Sequence, residues 1–219
     1  MNAKSASAAS PRHISAGLRW TIGALTVLVL VAAMALDTKV VRIGSEEDVR
    51  SAVFSPAEYG KSEFPKVQAD VEARAVDAVT LAAAIAADKE SAAKQYGVPA
   101  GVGPVMAVRF TGVVGEGKSG IYAVAVPDIG EVPLVRMQTG PAINGTDLRD
   151  ATGKITFGQF KNQIEYQNAG SALNNEMKAE VLSKLDTAAL TGKTVTVVGV
   201  FKLVNPKSWL VTPVRLDVQ

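Results

Sequence analysis

The residues best suited to chemistry lie in one polar stretch, Gly140–Asp150 and its continuation to Glu176. Glycine and proline are frequent at its start and specify backbone geometry. Neutral amides beside one arginine and several carboxylates suit hydrogen bonding to a polyhydroxylated ligand. The candidate ligand-binding residues are Asn144, Thr146, Arg149, Asp150, Gln159, Asn162, Gln163 and Asn174. The alternative is that these side chains cap loops and satisfy buried backbone groups.

Catalysis has few candidate groups in this chain. The sequence contains no cysteine, and its one histidine is His13. A site in the rest of the chain would therefore lack both a thiolate and an imidazole. A hydrolase would have to use carboxylates, for which Asp147, Asp150 and Glu176 are the candidates, or a Ser–Lys pair. We predict a non-catalytic protein with no catalytic residues, no cofactor and no metal site, and keep a periplasmic hydrolase as the alternative.

One segment formally matches the phosphate-binding loop of nucleotide-binding proteins. Gly112–Ser119 has the pattern Gly-x-x-x-x-Gly-Lys-Ser, in which the lysine would reach the outer phosphates. A working loop must lead directly into a helix whose N-terminus faces the anion. Residues 120–127 instead resemble a β-strand ending at a proline. We therefore predict a hairpin turn and no nucleotide partner.

Positive charge is concentrated before one apolar segment. Lys4, Arg12 and Arg19 precede Trp20–Leu36, which carries no charge. A segment of this length is at the lower limit for a membrane-spanning helix, about 17–25 residues. The preceding cations place the N-terminus in the cytoplasm. The same three cations leave 20 basic against 21 acidic residues from Asp37 onward, which makes nucleic acid an unfavourable partner.

These features predict a single-pass protein of the inner membrane. Residues 1–17 form a cytoplasmic tail, residues 18–36 form a transmembrane or signal-anchor helix, and the remainder lies in the periplasm. Ala33-Met34-Ala35 also resembles a signal-peptide cleavage site. Cleavage before Leu36 would release the protein to the periplasm.

Residues 37–103 are predicted to form a linker and a small helical subdomain. Ser55-Pro56 starts a new segment, and residues 66–96 show helical spacing of apolar side chains, with breaks at Asp77 and Asp88. The glycine- and proline-rich stretch 97–104 then ends any helix, so the domain boundary is placed there.

Residues 104–219 change to the alternating pattern of β-strands and are predicted to form a small barrel. Three strands are followed by a helix over roughly residues 166–185 and by two more strands joined through Asn205–Ser208. This order, with the helix between strands 3 and 4, is that of an OB-type barrel. The predicted fold class is therefore α+β, and an open sheet with the helix on one face is the alternative.

The segment from Gly140 to Asn175, together with most of Phe54–Val218, resembles an uncharacterised bacterial family of predicted periplasmic lipoproteins. The resemblance implies a helical subdomain with an OB-like domain, no established activity, and genes often found beside ribose-type sugar ABC transporters. It carries over no catalytic residue. The chain departs from the family in lacking a lipobox cysteine, so either its N-terminal helix replaces the lipid or the protein is released.

The leading hypothesis is therefore a membrane-anchored periplasmic accessory or ligand-binding module. Its expected partners are the inner membrane, through the N-terminal helix, and a sugar ABC transporter or its binding protein. A structural envelope protein that binds no small molecule is the remaining alternative.

Overall fold

The computed structural model describes residues 16–37, 54–130 and 133–219. It divides into two compact units, Met1–Ser51 and Ala52–Gln219, and each is described by itself. Much of the predicted linker therefore lies outside the described residues. In the first helix, side chains are described at Gly17, Trp20 and residues 23–34.

Helix α1 (Ala16–Asp37) is the described element of the first unit. Its large apolar side chains are exposed, among them Trp20, Leu25 and Leu28. Within the part of the chain that the structure describes, no helix has both the length and the apolar character needed to cross a membrane. A helix is thus present where one was predicted, but its membrane-spanning character is not confirmed.

The second unit begins with three helices whose starts are set by capping side chains. They are α2 (Pro56–Arg74), α3 (Ala78–Ala87) and α4 (Lys89–Tyr96). Ser55 precedes a proline at the first position of α2 and accepts from the Glu58 amide. Asp77 and Asp88 accept the first free amides of α3 and α4 in the same way. The predicted breaks at these two residues are therefore confirmed as helix starts.

In the part of the chain that the structure describes, seven strands form one sheet that closes into a barrel. Two short strands, β1 (Val76–Asp77) and β2 (Gly97–Val98), pair with the first barrel strand. The barrel strands are β3 (Val105–Lys118), β4 (Ile121–Ala125), β5 (Leu134–Gln138), β6 (Thr194–Lys202) and β7 (Ser208–Val218).

The pairing order is that of an OB barrel. β3 pairs with β4, β4 with β5, β5 with β7 in parallel, β7 with β6, and β6 with β3 again. Since the last pairing closes the ring, the open-sheet alternative is excluded. Gly112–Lys118 lies within β3, and Ser119-Gly120 turns into β4, which confirms the hairpin in place of a phosphate loop. Gly120 has φ +74°, and a Cβ there would overlap the Gly140 carbonyl oxygen.

The connection between β5 and β6 contains two further helices. Helix α5 (Asp147–Asp150) is one turn long, and a 3-10 turn follows at Phe157–Gln159. Helix α6 (Gln163–Met177) runs on into a π-helical turn, Lys178–Leu182. The helix predicted between the third and fourth barrel strands, here β5 and β6, is thus confirmed. It starts three residues earlier than predicted.

One hydrophobic core joins the helices to the barrel. It includes Val71 and Leu81 from the helices, Leu173 from α6, and Phe201 and Trp209 from the barrel. The rings of Phe201 and Trp209 are stacked with centroids 4.5 Å apart. Every described member of this core lies in Ala52–Gln219, so this unit has what it needs to fold without the first.

Candidate functional site

Four charged side chains meet where helix α5 packs on strand β6. Asp147, Arg149 and Asp150 come from α5 and Lys202 from the end of β6. All four are at least three-quarters buried, with Arg149 only 8% exposed. Charges at this depth need partners, because desolvation disfavours an isolated ion.

Arg149 is the most completely engaged of the four. Its Nε donates to Asp150 Oδ1 at 2.9 Å, and Nη1 donates to the Tyr166 carbonyl at 3.3 Å. Its guanidinium carbon lies 3.7 Å from the centroid of the Tyr166 ring, which is a cation–π arrangement. Arg149 therefore fastens α5 to α6.

Lys202 pairs with both carboxylates. Its Nζ lies 3.2 Å from Asp150 Oδ2 and 3.6 Å from Asp147 Oδ1. Thr146 Oγ1 donates to the same oxygen of Asp150 at 2.7 Å. Burial raises the pKa of the Asp147 carboxyl; Lys202 lowers it, and the neighbouring Asp150 charge raises it further. The cluster is fully paired, which is typical of a structural ion network.

Beside this network lies a cluster of aromatic rings. Phe54, Tyr59 and Phe160 pack with centroids 5.4–5.7 Å apart. Tyr166 contacts Phe160 at 5.4 Å and Phe157 at 5.7 Å. The chain has only two Trp, four Tyr and six Phe, so five of its few aromatic residues meet here. Such a concentration is unusual enough to indicate either a local core or a binding wall.

A cavity of about 480 Å³ opens between α2 and residues 152–160. Phe54, Tyr59 and Phe160 form its aromatic wall, and Val67 and Ile155 add aliphatic surface. The remaining lining residues are polar: Glu63, Lys66, Thr152, Lys154 and Gln159. Its size and its mixture of apolar wall and few polar groups are those of a small-molecule site.

Tyr59 lines this cavity and carries a hydroxyl. Burial, followed by the nearby Glu63 charge, raises the pKa of Tyr59 to about 12. The hydroxyl therefore keeps its proton at neutral pH and can donate to a ligand oxygen. Glu63 pairs with Lys66 at 2.6 Å, and Lys154 with Asp70 at 3.3 Å, which positions both acceptor and donor groups at the rim.

The structure separates the predicted ligand-binding residues into three groups. Thr146, Arg149 and Asp150 come together in the ion network. Asn174 and Asn144 fasten the loop before α5. The Asn174 amide donates to the carbonyls of Ile143 and Gly145, and the Asn144 backbone exchanges two hydrogen bonds with the Gln138 side chain. Thr146, Arg149, Asp150 and Asn174 thus make the packing and capping contacts that the alternative describes, and ligand binding by any of the five residues stays a prediction.

The third group lies at the start of α6. Asn162 is the N-cap of α6 and accepts from the Glu165 amide at 2.9 Å. Gln163 follows and is exposed. Gln159 accepts from the Thr156 amide and donates to the Lys154 carbonyl. Of the eight predicted residues, only Gln159 lines the cavity.

Residues that were not predicted supply most of the site. Lys202 belongs to the polar face of a strand, and nothing in its local sequence indicates a buried ion. Phe160 and Tyr166 lie six residues apart in the polar stretch, where aromatic side chains among amides were the available signal. Phe54 and Tyr59 lie about a hundred residues before Phe160, so they reach the cavity only because α2 packs on α6.

The carboxylates considered for hydrolysis are divided between α5 and α6. Asp147 and Asp150 face the same lysine and are buried. Glu176 lies on α6, where it faces α2 near Gly60. Among the described residues, no three carboxylate or imidazole groups are close enough to hold a metal ion.

Comparison with known proteins agrees with this architecture. A family model described as "Predicted periplasmic lipoprotein (DUF2291)" matches residues 24–217. The crystal structure of an OB-fold protein from Thermotoga maritima is similar with a TM-score of 0.63 and 24% identity, covering 77% of this chain and 100% of that chain. At this identity the similarity shows the fold alone, and it confirms the OB-type barrel. No curated protein matches the chain.

Proposed function

This chain belongs to the family of predicted periplasmic lipoproteins that the matching model describes, and on that premise we propose that it is a non-catalytic ligand-binding module of the bacterial envelope. The cavity beneath α2 is its binding site. Its ligand is a small polyhydroxylated molecule such as a sugar, and the module serves a sugar ABC transporter or its binding protein.

The observation that carries the proposal is the composition of the cavity walls. A sugar presents C–H groups on its ring faces and hydroxyls around its edge. The aromatic wall of Phe54, Tyr59 and Phe160 suits the ring face, and Glu63 and Gln159 suit the hydroxyls. A volume of about 480 Å³ accommodates a mono- or disaccharide.

A non-catalytic role is supported by the state of the charged groups. Glycoside hydrolysis needs one carboxylic acid and one carboxylate facing each other across a cleft. Here the buried carboxylates Asp147 and Asp150 share Lys202, and Arg149 engages Asp150 as well. Neither carboxylate lines the cavity.

The proposal places the second unit in the periplasm and assigns α1 to the membrane. The exposed side chains of Leu25, Leu28 and Leu30 have apolar surface that water solvates poorly. None of the 219 residues is a cysteine, so no thioether-linked lipid can form on them, and α1 takes over the anchoring role. Cleavage before Leu36 would instead leave the second unit free in the periplasm.

Neither nucleic acid nor nucleotide is part of the proposal. The outward residues of β4 are Ile121, Ala123 and Ala125, and those of β5 are Leu134 and Arg136. This face has no aromatic side chain on which a base could stack, unlike OB barrels that bind single strands.

Thermal unfolding of Ala52–Gln219 with a panel of pentoses, hexoses and disaccharides tests the binding site. A ligand at a hundredfold excess over its Kd would add about 2.7 kcal/mol to the unfolding free energy. Tyr59→Phe and Gln159→Ala should weaken the response several-fold. Thr187→Val, which lines a different cavity, should leave it unchanged. No response to any sugar, or an equal response in all variants, would refute the site.

The transporter association is tested separately on the full chain. We expect crosslinking in intact cells to recover a sugar transporter component with the wild-type protein, and deletion of the gene to lower sugar uptake. Unchanged uptake with no transporter component recovered would contradict the association without touching the binding site.

A further inference from the structure

One exposed segment, Lys154–Ile164, lines part of the ligand cavity and also carries residues that do not line it. It contains two lysines and no acidic residue. Ile155 and Phe160 point into the core, whereas the remaining residues are exposed. The segment thus has a buried apolar side that anchors it and an outer side that carries both cations and apolar groups.

The outer side exposes two large apolar side chains. Phe157 is 50% exposed and Ile164 is 70% exposed. Phe157 stands out among the six phenylalanines, because Phe64, Phe110, Phe160 and Phe201 are buried and Phe54 is half-buried. Exposed apolar groups of this size cost solvation free energy, which a partner surface would recover.

The segment is held in this arrangement by local hydrogen bonds. Gln159 accepts from the Thr156 amide and donates to the Lys154 carbonyl, which closes the 3-10 turn beneath Phe157. The Phe157 ring rests against Tyr166 at 5.7 Å. The cap at Asn162 fixes the first turn of α6, and with it Ile164. The backbone around Phe157 and Ile164 is therefore held by hydrogen bonds, with both side chains exposed on its outer side.

Two exposed lysines belong to the same region: Lys154 begins the segment, and Lys66 lines the cavity together with it. Lys154 is 78% exposed and Lys66, across the cavity mouth, is 68% exposed, whereas their partners Asp70 and Glu63 are only about a quarter exposed. A surface that approaches the segment therefore meets the ammonium groups before the carboxylates. Apolar side chains that insert beside lysines match the interface of a bilayer containing anionic phospholipids.

We propose that the segment Lys154–Ile164, with Lys66, docks the second unit on the surface of an anionic phospholipid membrane, with Phe157 and Ile164 inserted among the headgroups. Docking would hold the mouth of the ligand cavity close to the bilayer. This contact is additional to the membrane contact proposed for α1. It should therefore also occur in Ala52–Gln219, which does not include α1.

Vesicle sedimentation of Ala52–Gln219 tests the docking surface. We expect binding to vesicles of phosphatidylcholine with phosphatidylglycerol, and weaker binding to phosphatidylcholine alone or at high salt. Phe157→Ser with Ile164→Ser should weaken partitioning by roughly tenfold or more, since each side chain loses its apolar burial. The matched control Val113→Ser with Leu134→Ser, two exposed apolar residues on barrel strands, should bind like the wild type.

The lysines are tested in the same assay. Lys66→Gln with Lys154→Gln should lower binding to anionic vesicles about tenfold, while Lys94→Gln with Lys184→Gln should have a much smaller effect. No binding to either vesicle, or equal binding by the Phe157/Ile164 variant and its control, would overturn the proposal. Thermal shifts with sugar in the absence of vesicles should be unchanged in the Phe157/Ile164 variant, which separates this surface from the ligand site.

A measurement on the full chain uses its lack of cysteine. A polarity-sensitive fluorophore on Phe157→Cys in anionic proteoliposomes should report an apolar environment that high salt reverses. The same label on Leu134→Cys should stay in water. If both labels reported an aqueous environment, docking would be contradicted even if Ala52–Gln219 sedimented with vesicles.

Discussion

The ammonium group of Lys202 lies 3.2 Å from Asp150 Oδ2, although 52 residues separate the two along the chain. Lys202 ends strand β6 and Asp150 ends helix α5. The pair therefore ties the connection that carries the aromatic cluster to the wall of the barrel. Because Lys202, Asp147 and Asp150 are mostly buried, we expect removal of one charge to lower the stability of the fold.

Lys202→Met is the direct test of that expectation. It leaves the carboxylates of Asp150 and Asp147 without their shared cation, and we expect the unfolding free energy to fall by about 2–4 kcal/mol. Urea denaturation measures the change. Lys184→Met removes an exposed lysine that pairs with Glu180 and should cost no more than about 0.5 kcal/mol. Equal losses in the two variants would show that the buried network has no special role.

Asp147 makes stability depend on pH in a defined direction. Burial raises the pKa of its carboxyl above the ordinary 3.8, while Lys202 opposes the shift. The pKa of Asp147 is higher in the folded than in the unfolded state. Its contribution to the free energy of unfolding is therefore complete below the unfolded pKa and is lost as pH rises through the folded pKa. On acidification from pH 7 to about pH 4, the wild type should therefore gain stability relative to Asp147→Asn.

Asp70 provides a control of opposite sign. Burial alone would raise the pKa of Asp70, but hydrogen bonds and charges from Arg74 and Lys154 lower it below 3.8. Its contribution is present above the unfolded pKa and is lost as pH falls through the folded pKa. When acidification continues from about pH 4 to about pH 2, the wild type should thus lose stability relative to Asp70→Asn. Parallel trends in the two variants would contradict the assigned shifts.

These charges also show where sequence reasoning stops. Asp77 and Asp88 could be recognised as boundaries because a cap acts on amides two and three residues away. The alternation of β3, β6 and β7 and the helix after β5 were equally local signals, and they were sufficient for the barrel. Lys202 could not be recognised as a partner of Asp150, because β6 returns to α5 only once the barrel has closed.

The same reason explains the ligand-binding residues. Amides in a glycine-rich stretch resemble a polar site, yet the Asn174 side chain donates to loop carbonyls. The Asn144 backbone is bound by the Gln138 side chain. Loop backbone requires such partners once it is buried. The aromatic wall of the cavity instead combines Phe160 with Phe54 and Tyr59, which lie about a hundred residues earlier in the chain.

Gly60 sets how closely α2 approaches α6. A Cβ at this position would lie 2.7 Å from the Ala172 carbonyl oxygen on α6, and backbone cannot yield as a flexible side chain can. We expect Gly60→Ala to lower the unfolding free energy by about 1–2 kcal/mol despite the better helix propensity of alanine. Gly158→Ala, with no atom within 4 Å of the added carbon, should change it by less than about 0.5 kcal/mol. A neutral Gly60→Ala would mean that the helices can separate without loss.

Arg149 and Tyr166 are predicted to be energetically coupled through the ring face. The guanidinium carbon lies 3.7 Å from the ring centroid, while Nε and Nη2 remain bound to Asp150. Arg149→Lys keeps a positive charge but loses the planar group that stacks on Tyr166. Tyr166→Leu keeps an apolar side chain but removes the ring. A double-mutant cycle in urea should therefore give a coupling free energy of about 0.5–2 kcal/mol.

The control for this cycle is Arg215→Lys combined with Tyr166→Leu. Arg215 is exposed and pairs with Asp217 on β7, so its coupling to Tyr166 should be within about 0.5 kcal/mol of zero. If Arg149 and Tyr166 also proved additive, Arg149 would be acting only through Asp150 and the Tyr166 carbonyl. The aromatic cluster would then be held by packing alone. Because Tyr166 lies between the ion network and the rings of Phe157 and Phe160, a measured coupling would show that the two clusters stabilise one another.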